Sequence, residues 1–269
     1  MATSAAVQLF VGAKTDVGAV RSRNEDFVLC EPTDSPEALA HGWLGIVADG
    51  LGGHRSGNIA SQLAVDTTRE VFYARSREKQ TRDRLRSAVQ NANEVIIENG
   101  LSASDNAEMA STITAAVIEG SKLTVAQVGD SRGYLVRNSR LKQITTDHSL
   151  VEEMVRKGGL THEQALHHPN RNVITRALGT KETVQVDVFE EELQDGDVVL
   201  LCSDGLYRVV SEGEIARVLF AEPQQAAESL VGLANQRGAP DNVSVVIVRI
   251  SLPGETGAGE VTLTGPPSR

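Results

Sequence analysis

The sequence predicts an α+β protein in which helices cover the outside of mainly antiparallel sheets. Along the chain, strands come first, then two helices, more strands, two further helices and a last strand. The regular alternation of strand and helix that would indicate a doubly wound parallel sheet is missing from this order. The composition fits one large globular domain, with 269 residues, 40% hydrophobic and 23% charged.

The first half of the chain is predicted to contain three strands followed by two helices. The strands are apolar runs, and the helices carry apolar residues at helical spacing, with Gly100 as a stop signal. In order, we expect strands at 7–14, 27–31 and 43–49, a polar loop at 15–23, a turn-rich connection at 32–41, and helices at 56–74 and about 82–99.

The second half is predicted to contain the remaining strands and two helices near its end. Residues 150–157 and 161–166 are expected to be short helices, and 167–179 an irregular segment. We expect strands at 111–119, 122–129, 133–136, about 184–188, 197–203 and 243–250, and helices at 212–220 and 224–237. Residues 1–252 then form one domain, and 253–269, rich in Gly, Pro, Thr and Glu, are expected to be a flexible tail.

Charge and hydropathy narrow the classes of function. The formal net charge of -10 disfavours binding to nucleic acid or to an anionic membrane, because both need a basic surface. No stretch approaches the roughly 20 apolar residues that span a bilayer, and the N-terminus shows no secretion signal. Cys30 and Cys202 lie in apolar runs and are expected to be core residues in a reducing compartment. We therefore expect a cytoplasmic protein.

The stretch 47–54 joins a predicted buried strand to the first long helix. The strand ends on Asp49, and three of the next four residues are glycines. A carboxylate beside a loop with almost no side chains can hold a hard cation, because Gly also lets a backbone carbonyl approach the ion. The alternative is a hairpin turn, since Asp-Gly is a common type I′ signal.

Carboxylates recur at the ends of predicted strands. They are Glu25, Asp26, Asp49, Asp130, Asp204 and Asp241. Burying them together without cations would be costly, and an all-oxygen ligand set favours Mg²⁺ or Mn²⁺ over Zn²⁺. The alternative is that each Asp caps a helix or starts a turn by itself; Asp130, for example, would only cap the turn at Ser131 and Arg132.

Seven motifs follow one another in an order that carries a family resemblance. They are TDVG with RSRNED at 15–26, DGLGGH at 49–54, VGDSR at 128–132, TDHS at 146–149, TRALG at 175–179, CSDGL at 202–206 and DNVS at 241–244. Together they resemble the metal-dependent Ser/Thr protein phosphatases of type 2C, in their compact bacterial form. The resemblance extends over about 7–250, nearly the whole chain.

The resemblance implies a four-layer α-β-β-α sandwich with two core Mg²⁺ or Mn²⁺ ions at one end. Asp49 would bridge both ions. Asp204 and Asp241 would complete the ligands of the first, and Glu25 with the backbone carbonyl of Gly50 those of the second. A weaker third ion is expected at Asp130, shared with Asp204.

The same resemblance assigns the catalytic and substrate-binding residues. Asp26 would hydrogen-bond the waters on the metals, and Arg21 would bind the phosphate of the substrate. Arg suits this role because its planar fork binds two phosphate oxygens at once. Arg23 is also close, but Arg21 has the family's spacing of four residues from Glu25. A water shared by two cations becomes hydroxide near neutral pH and can attack phosphorus in line.

One position departs from the eukaryotic branch of the family. Those enzymes carry a His directly after the Asp-Gly pair as the proposed general acid, whereas this chain has Leu51. We do not assign that role to His54, three residues further on. Residues 151–179 match the family's variable flap beside the cleft, and 167–171 within it are candidates for substrate contact.

The leading interpretation is a monomeric Mg²⁺- or Mn²⁺-dependent phosphatase for phosphoserine and phosphothreonine in proteins, opposing a bacterial Ser/Thr kinase. A rival in the same fold is a partner-switching phosphatase that acts on a small regulator of a sigma factor. Those relatives usually lack an Arg in the first motif, so Arg21 argues against it. A second rival is an inactive binding module, which would require the loss of metal ligands that this chain retains.

Overall fold

The fold was obtained as a computed structural model, which describes residues 7–51, 56–74, 80–102 and 109–252. The strands are β1 (Gln8–Asp16), β2 (Asp26–Cys30), β3 (Trp43–Leu51), β4 (Ala110–Ser111), β5 (Ile113–Glu119), β6 (Lys122–Val128), β7 (Arg132–Arg137), β8 (Arg140–Gln143), β9 (Asp187–Glu192), β10 (Val198–Cys202) and β11 (Val243–Ser251). The helices are α1 (Pro36–His41), α2 (Ser56–Ala74), α3 (Thr81–Ser102), α4 (Leu150–Arg156), α5 (His162–Leu166), α6 (Asp204–Tyr207), α7 (Glu212–Val218) and α8 (Pro223–Gln236).

The strands form two sheets whose neighbouring strands are all antiparallel. One sheet has the order β1-β11-β10-β7-β8, and the other has the order β2-β3-β5-β6-β9, with the short β4 paired to β3. The sheets mix strands from both halves of the chain; β1, for instance, pairs along its whole length with β11, the last strand.

Three apolar layers hold the sheets and helices together. Side chains between the two sheets form the central layer, which includes Trp43, Val125 and Val246. A second layer lies between α2, α3 and the β3 sheet, and a third between α6, α7, α8 and the β10 sheet. The result is the predicted four-layer sandwich, with helices outside both sheets.

The unbroken apolar runs of β3 and β10 reflect the burial of both faces of each strand. In β10, Leu200 packs toward the helices and Leu201 toward the opposite sheet, and both are buried. In β3, Ile46 and Val47 divide in the same way. A strand covered on both faces needs apolar residues at every position.

Several elements differ from the sequence prediction. The connection 32–41 contains the short helix α1, which begins where Ser35 Oγ accepts a hydrogen bond from the amide of Ala38 (3.0 Å). Helix α3 continues past Gly100 to Ser102. The strand predicted near 184–188 begins only at Asp187, and β4, β8 and α6 are too short to show a periodicity.

The hairpin alternative for Asp49 and Gly50 is wrong. Both residues lie inside β3, which continues to Leu51. His54 and the tail 253–269 lie outside the described residues. In the part of the chain that the structure describes, no helix combines the length and the apolar character needed to cross a membrane.

Candidate active site

The predicted site residues converge at one end of the sandwich. Asp26 at the start of β2 is paired with Asp49 near the end of β3. In the other sheet, Asp204 follows β10 and Asp241 precedes β11, so both stand where these antiparallel strands meet. A hydrogen bond from Ser203 Oγ to Asp26 Oδ2 (2.8 Å) joins the two sheets at this point.

The backbone of Asp49 is fixed by Thr112, the residue between β4 and β5. Its amide donates to Thr112 Oγ1 (3.0 Å), and its carbonyl accepts from the amide of Thr112 (2.8 Å). Thr112 Oγ1 also shares a hydrogen bond with Ser131 Oγ (2.8 Å), the residue after Asp130. Thr112 therefore sets the relative positions of two aspartates that are far apart in sequence.

Glu25 and Gly50 are held together beside the first turn of α2. The carbonyl of Glu25 accepts from the amide of Gly50 (3.2 Å) and from Ser61 Oγ (2.5 Å). A Cβ on Gly50 would lie 2.2 Å from the carbonyl oxygen of Gly57, so only glycine permits this close approach of strand and helix. A Cβ on Gly57 would in turn lie 3.0 Å from Cδ of the Glu25 carboxylate.

Asn242 supports the loop that carries Arg21 and Glu25. It is buried; its Oδ1 accepts from the amide of Glu25 (2.8 Å), and its Nδ2 donates to the carbonyls of Val17 (2.9 Å) and Arg23 (3.0 Å). In the sequence, Asn242 stands out only as a member of the DNVS motif. Its three bonds to one loop were not predicted, because its partners lie more than 200 positions away in the chain.

Arg21 lies at the exposed side of the group. Its Nη2 donates to Asp241 Oδ2 (2.8 Å), and its side chain is 49% exposed. This contact places one guanidinium at the exposed edge of the carboxylate group, where a phosphate-binding residue is expected.

Arg208 is a site residue that was not predicted from the sequence. Its Nη2 lies 2.9 Å from Asp204 Oδ2 and 3.3 Å from Asp130 Oδ2. Tyr207 next to it donates from its hydroxyl to the carbonyl of Asp130 (3.1 Å). An Asp followed four positions later by an Arg indicates an ion pair when the segment is helical. Because α6 was not predicted, the sequence analysis did not pair Asp204 with Arg208.

Burial raises the pKa of four aspartates in the group. Desolvation is the largest cause, and repulsion from neighbouring carboxylates adds to it. The pKa of Asp26 and that of Asp130 each rise to about 7, the pKa of Asp49 rises well above its ordinary value, and that of Asp204 is also raised. Such a group is stable in its charged form only beside positive charge.

The donor set fits divalent cations. Asp26 Oδ1, Asp130 Oδ1 and Asp204 Oδ1 are buried with no hydrogen-bond partner. In the described ranges, no three His, Cys, Asp or Glu side chains already stand in an arrangement that could hold a metal ion. Three of the carboxylates are instead drawn to Arg21 and Arg208. The fit therefore rests on unpaired buried oxygens and excess negative charge, both of which favour Mg²⁺ or Mn²⁺.

His148 contributes to the framework behind the cleft. Its Nδ1 accepts from the amide of Gly129 (3.0 Å), and its Nε2 lies 3.1 Å from Asp187 Oδ2. Burial lowers the pKa of His148, which keeps the ring neutral as these contacts require. His148 thus fixes the residue before Asp130, and it belongs to the support of the site.

Comparison with known proteins decides the family. The family model described as Protein phosphatase 2C matches residues 25–236. The chain belongs to the protein phosphatase 2C family.

Related members of the protein phosphatase 2C family match nearly their whole length. The serine/threonine phosphatase stp of Listeria welshimeri is 38% identical over 246 residues, or 89% of this chain and 95% of that protein. The serine/threonine phosphatase PstP/Ppp of Mycobacterium tuberculosis has a TM-score of 0.81 and 36% identity, covering 90% of this chain and 99% of that one. A structure of the PstP catalytic domain in complex with 2 manganese ions has a TM-score of 0.78 and 34% identity, covering 91% and 99%.

These matches confirm the predicted class of enzyme. This protein phosphatase 2C is a metal-dependent protein-serine/threonine phosphatase that uses Mg²⁺ or Mn²⁺ and acts on phosphoproteins.

Proposed function

We propose that this phosphatase hydrolyses phosphoserine and phosphothreonine in the cleft formed by Arg21, Glu25, Asp26, Asp49, Gly50, Asp130, Asp204 and Asp241. The observation that carries the proposal is the set of buried carboxylate oxygens without partners beside one exposed guanidinium. A carboxylate cluster with this excess charge and a phosphate-binding Arg at its mouth suits phosphoryl transfer, where positioning and charge compensation do most of the work.

Five residues would hold two core ions. Asp49 would contact both, Asp204 and Asp241 would complete the ligands of one, and Glu25 with the carbonyl of Gly50 would serve the other. The close packing of Gly50 against Gly57 supports a ligand role for a backbone carbonyl, because no side chain intervenes. Asp130, with Asp204, would hold a weaker third ion.

The chain's own residues orient the substrate and the attacking water. When bound, the divalent ions lower the pKa of water and offset negative charge on the phosphoryl oxygens. Arg21 would bind two phosphoryl oxygens through its fork while Asp241 fixes its Nη2. Oδ2 of Asp26 accepts a hydrogen bond from Ser203, which leaves Oδ1 to accept a hydrogen bond from the nucleophilic water. The eukaryotic acid position is Leu51, a side chain that cannot donate a proton.

The cellular setting belongs to the proposal as well. We infer a cytoplasmic monomer made of a catalytic domain at 1–252, with the flap at 151–179, and a tail at 253–269. It would oppose a Ser/Thr kinase. The contact of Arg21 with Asp241 favours this role over the partner-switching alternative, whose members usually lack that Arg.

The test is hydrolysis of a phosphothreonine peptide and of p-nitrophenyl phosphate by the full chain. We expect turnover with Mn²⁺ or Mg²⁺ and its loss in excess chelator, restored when metal is added back. Full turnover in chelator would contradict the proposal, and so would a wild-type protein that binds Mn²⁺ yet leaves both substrates intact.

A further inference from the structure

Arg208 contacts the expected third metal site and the flap at the same time. Its Nη2 bonds to the Oδ2 atoms of Asp204 and Asp130, at 2.9 and 3.3 Å. Its Nη1 donates to Oδ1 of Asn172, which lies in the flap segment 151–179. One guanidinium therefore joins two buried carboxylates to an exposed residue of another segment.

Arg208 contacts only one oxygen of each of the two carboxylates. Asp130 and Asp204 are 2% and 8% exposed, and Oδ1 of each is buried without a partner. Two carboxylates share a single guanidinium, so negative charge remains at this pair. These unpaired oxygens are independent evidence that a cation can bind beside Arg208.

The position of Arg208 is itself fixed by packing. Tyr207 before it bonds to the carbonyl of Asp130, and the guanidinium of Arg132 lies 3.7 Å from the centre of the Tyr207 ring. Arg132 is held in turn by Asp147, with 2.7 Å between Nη2 and Oδ2. The short helix α6 is thus anchored, which keeps Arg208 next to the carboxylates.

We propose that Arg208 is a built-in counter-ion that weakens divalent-ion binding at Asp130 and Asp204 and couples occupancy of that site to the flap through Asn172. The inference rests on the proposed function, because it takes this pair of aspartates as the third metal site. Arg208 is a positioning residue in this scheme, since it acts through the carboxylates and through Asn172.

Two opposing effects determine whether Arg208 strengthens or weakens metal binding at Asp130 and Asp204. A residue that orients a metal ligand from behind typically strengthens binding by about 10–100-fold. Arg208, however, is always charged. It would contact the same two largely buried carboxylates as the doubly charged ion, and the repulsion between Arg208 and the ion is poorly screened at a buried site. We expect repulsion to exceed orientation, so removing the charge of Arg208 should tighten the site.

Calorimetric titration of the full chain with Mn²⁺ tests this directly. Arg208→Gln should lower the Kd of the weakest site at least about tenfold, or about 1.4 kcal/mol. Arg208→Lys keeps the positive charge that repels the ion and should stay within about threefold of wild type. Arg249→Gln is the matched control, because Arg249 is 23% exposed against 22% for Arg208 and pairs with Glu222 (3.1 Å) away from the cleft. Asp130→Ala should abolish the weak binding event.

Hydrogen exchange tests the coupling to the flap. Amides of 170–173 should exchange faster in Arg208→Gln than in wild type, and saturating the weak site of wild type should have the same effect. Arg249→Gln should leave their exchange unchanged. Arg208→Met, which keeps the apolar stem, replaces Arg208→Gln if circular dichroism shows that the Gln variant is unfolded.

Each outcome decides the inference. An unchanged or weaker Kd in Arg208→Gln, or equal tightening in Arg208→Lys, would overturn it. Exchange of amides 170–173 that stays unchanged in Arg208→Gln, or on saturating the weak site of wild type, would also overturn it. Hydrolysis of the phosphothreonine peptide by wild type is scored separately. An active wild type with no change in Kd refutes the inference alone, whereas an inactive wild type refutes the proposed function.

Discussion

The two ends of strand β10 carry buried aspartates in opposite surroundings. Before the strand, Asp197 accepts hydrogen bonds from Arg137 Nε (3.0 Å) and Nη2 (2.6 Å) and from the amide of Gln194 (2.8 Å). After the strand, Asp204 has one oxygen on a guanidinium that it shares with Asp130, and its Oδ1 has no partner.

The difference separates a structural acid from the one that we propose as a metal ligand. Both aspartates are mostly buried, so burial alone does not distinguish them. Asp197 has an Arg of its own, whereas Asp204 belongs to a cluster with more carboxylates than guanidiniums. The charge left over at one end is what divalent ions can neutralise, and the balanced end serves only folding.

Asp49→Ala gives the largest expected effect. Turnover of a phosphothreonine peptide with Mn²⁺ should fall at least about 1000-fold, or about 4 kcal/mol in the barrier, because this residue is assigned to both core ions. The thermal stability of the metal-free protein should stay the same or rise, since one buried like charge is gone. A well-folded variant that keeps more than about a tenth of the wild-type rate would refute the assignment.

Asp197→Ala should show the reverse pattern. We expect a loss of about 2–3 kcal/mol in the free energy of unfolding, at the lower edge of values for broken buried pairs because Arg137 is 29% exposed. Turnover per folded molecule should stay within about twofold, a change under about 0.5 kcal/mol. Urea unfolding and active-fraction kinetics measure both quantities. A large loss of turnover in the folded fraction would contradict a purely structural role for Asp197.

Arg21→Ala should reduce kcat/KM for the phosphopeptide about 10–100-fold, or about 1.4–2.8 kcal/mol, because the exposed fork no longer binds the phosphate. The stoichiometry of Mn²⁺ should not change. Arg23→Ala is the control, with an expected change below about threefold. Equal losses in both variants would show that general positive charge, and not the position of Arg21, matters.

The smallest effect concerns pH in the chelated protein. Asp26 and Asp130 have pKa values of about 7, above the ordinary 3.8, so between these values the folded protein binds more protons than the unfolded chain. Stability should therefore rise by about 1–2 kcal/mol as the pH falls from about 8 to 6.5. Below that range, protonation of His148, whose pKa is lowered by burial, opposes the gain.

Urea unfolding in chelator at both pH values measures this effect. Asp130→Asn should reduce the gain, whereas Asp197→Asn, at the balanced end, should leave it unchanged. A chelated wild type that loses stability over this interval would contradict the account of the buried cluster.

The sequence by itself determined the layers and the members of the cluster. Unbroken apolar runs predicted β3 and β10, helical spacing predicted α2 and α3, and the order of elements predicted antiparallel sheets with outer helices. Carboxylates at strand ends, together with the family resemblance, named the residues that meet in the cleft. These features depend on patterns within a few neighbouring positions, which a single sequence displays.

Only the tertiary structure decided which charges are paired. Arg137 pairs with Asp197, 60 positions away, and Asn242 bonds to Glu25, 217 positions away. Arg208 contacts both Asp204, four positions before it, and Asp130, 78 positions away. The CSDGL motif marks Asp204 and not Asp197, but the apolar pattern does not show which of the two is paired, since both flank the same strand. Their difference arises from strand order and from the side chains that the fold brings to each end, because a buried charge is set by its neighbours in space.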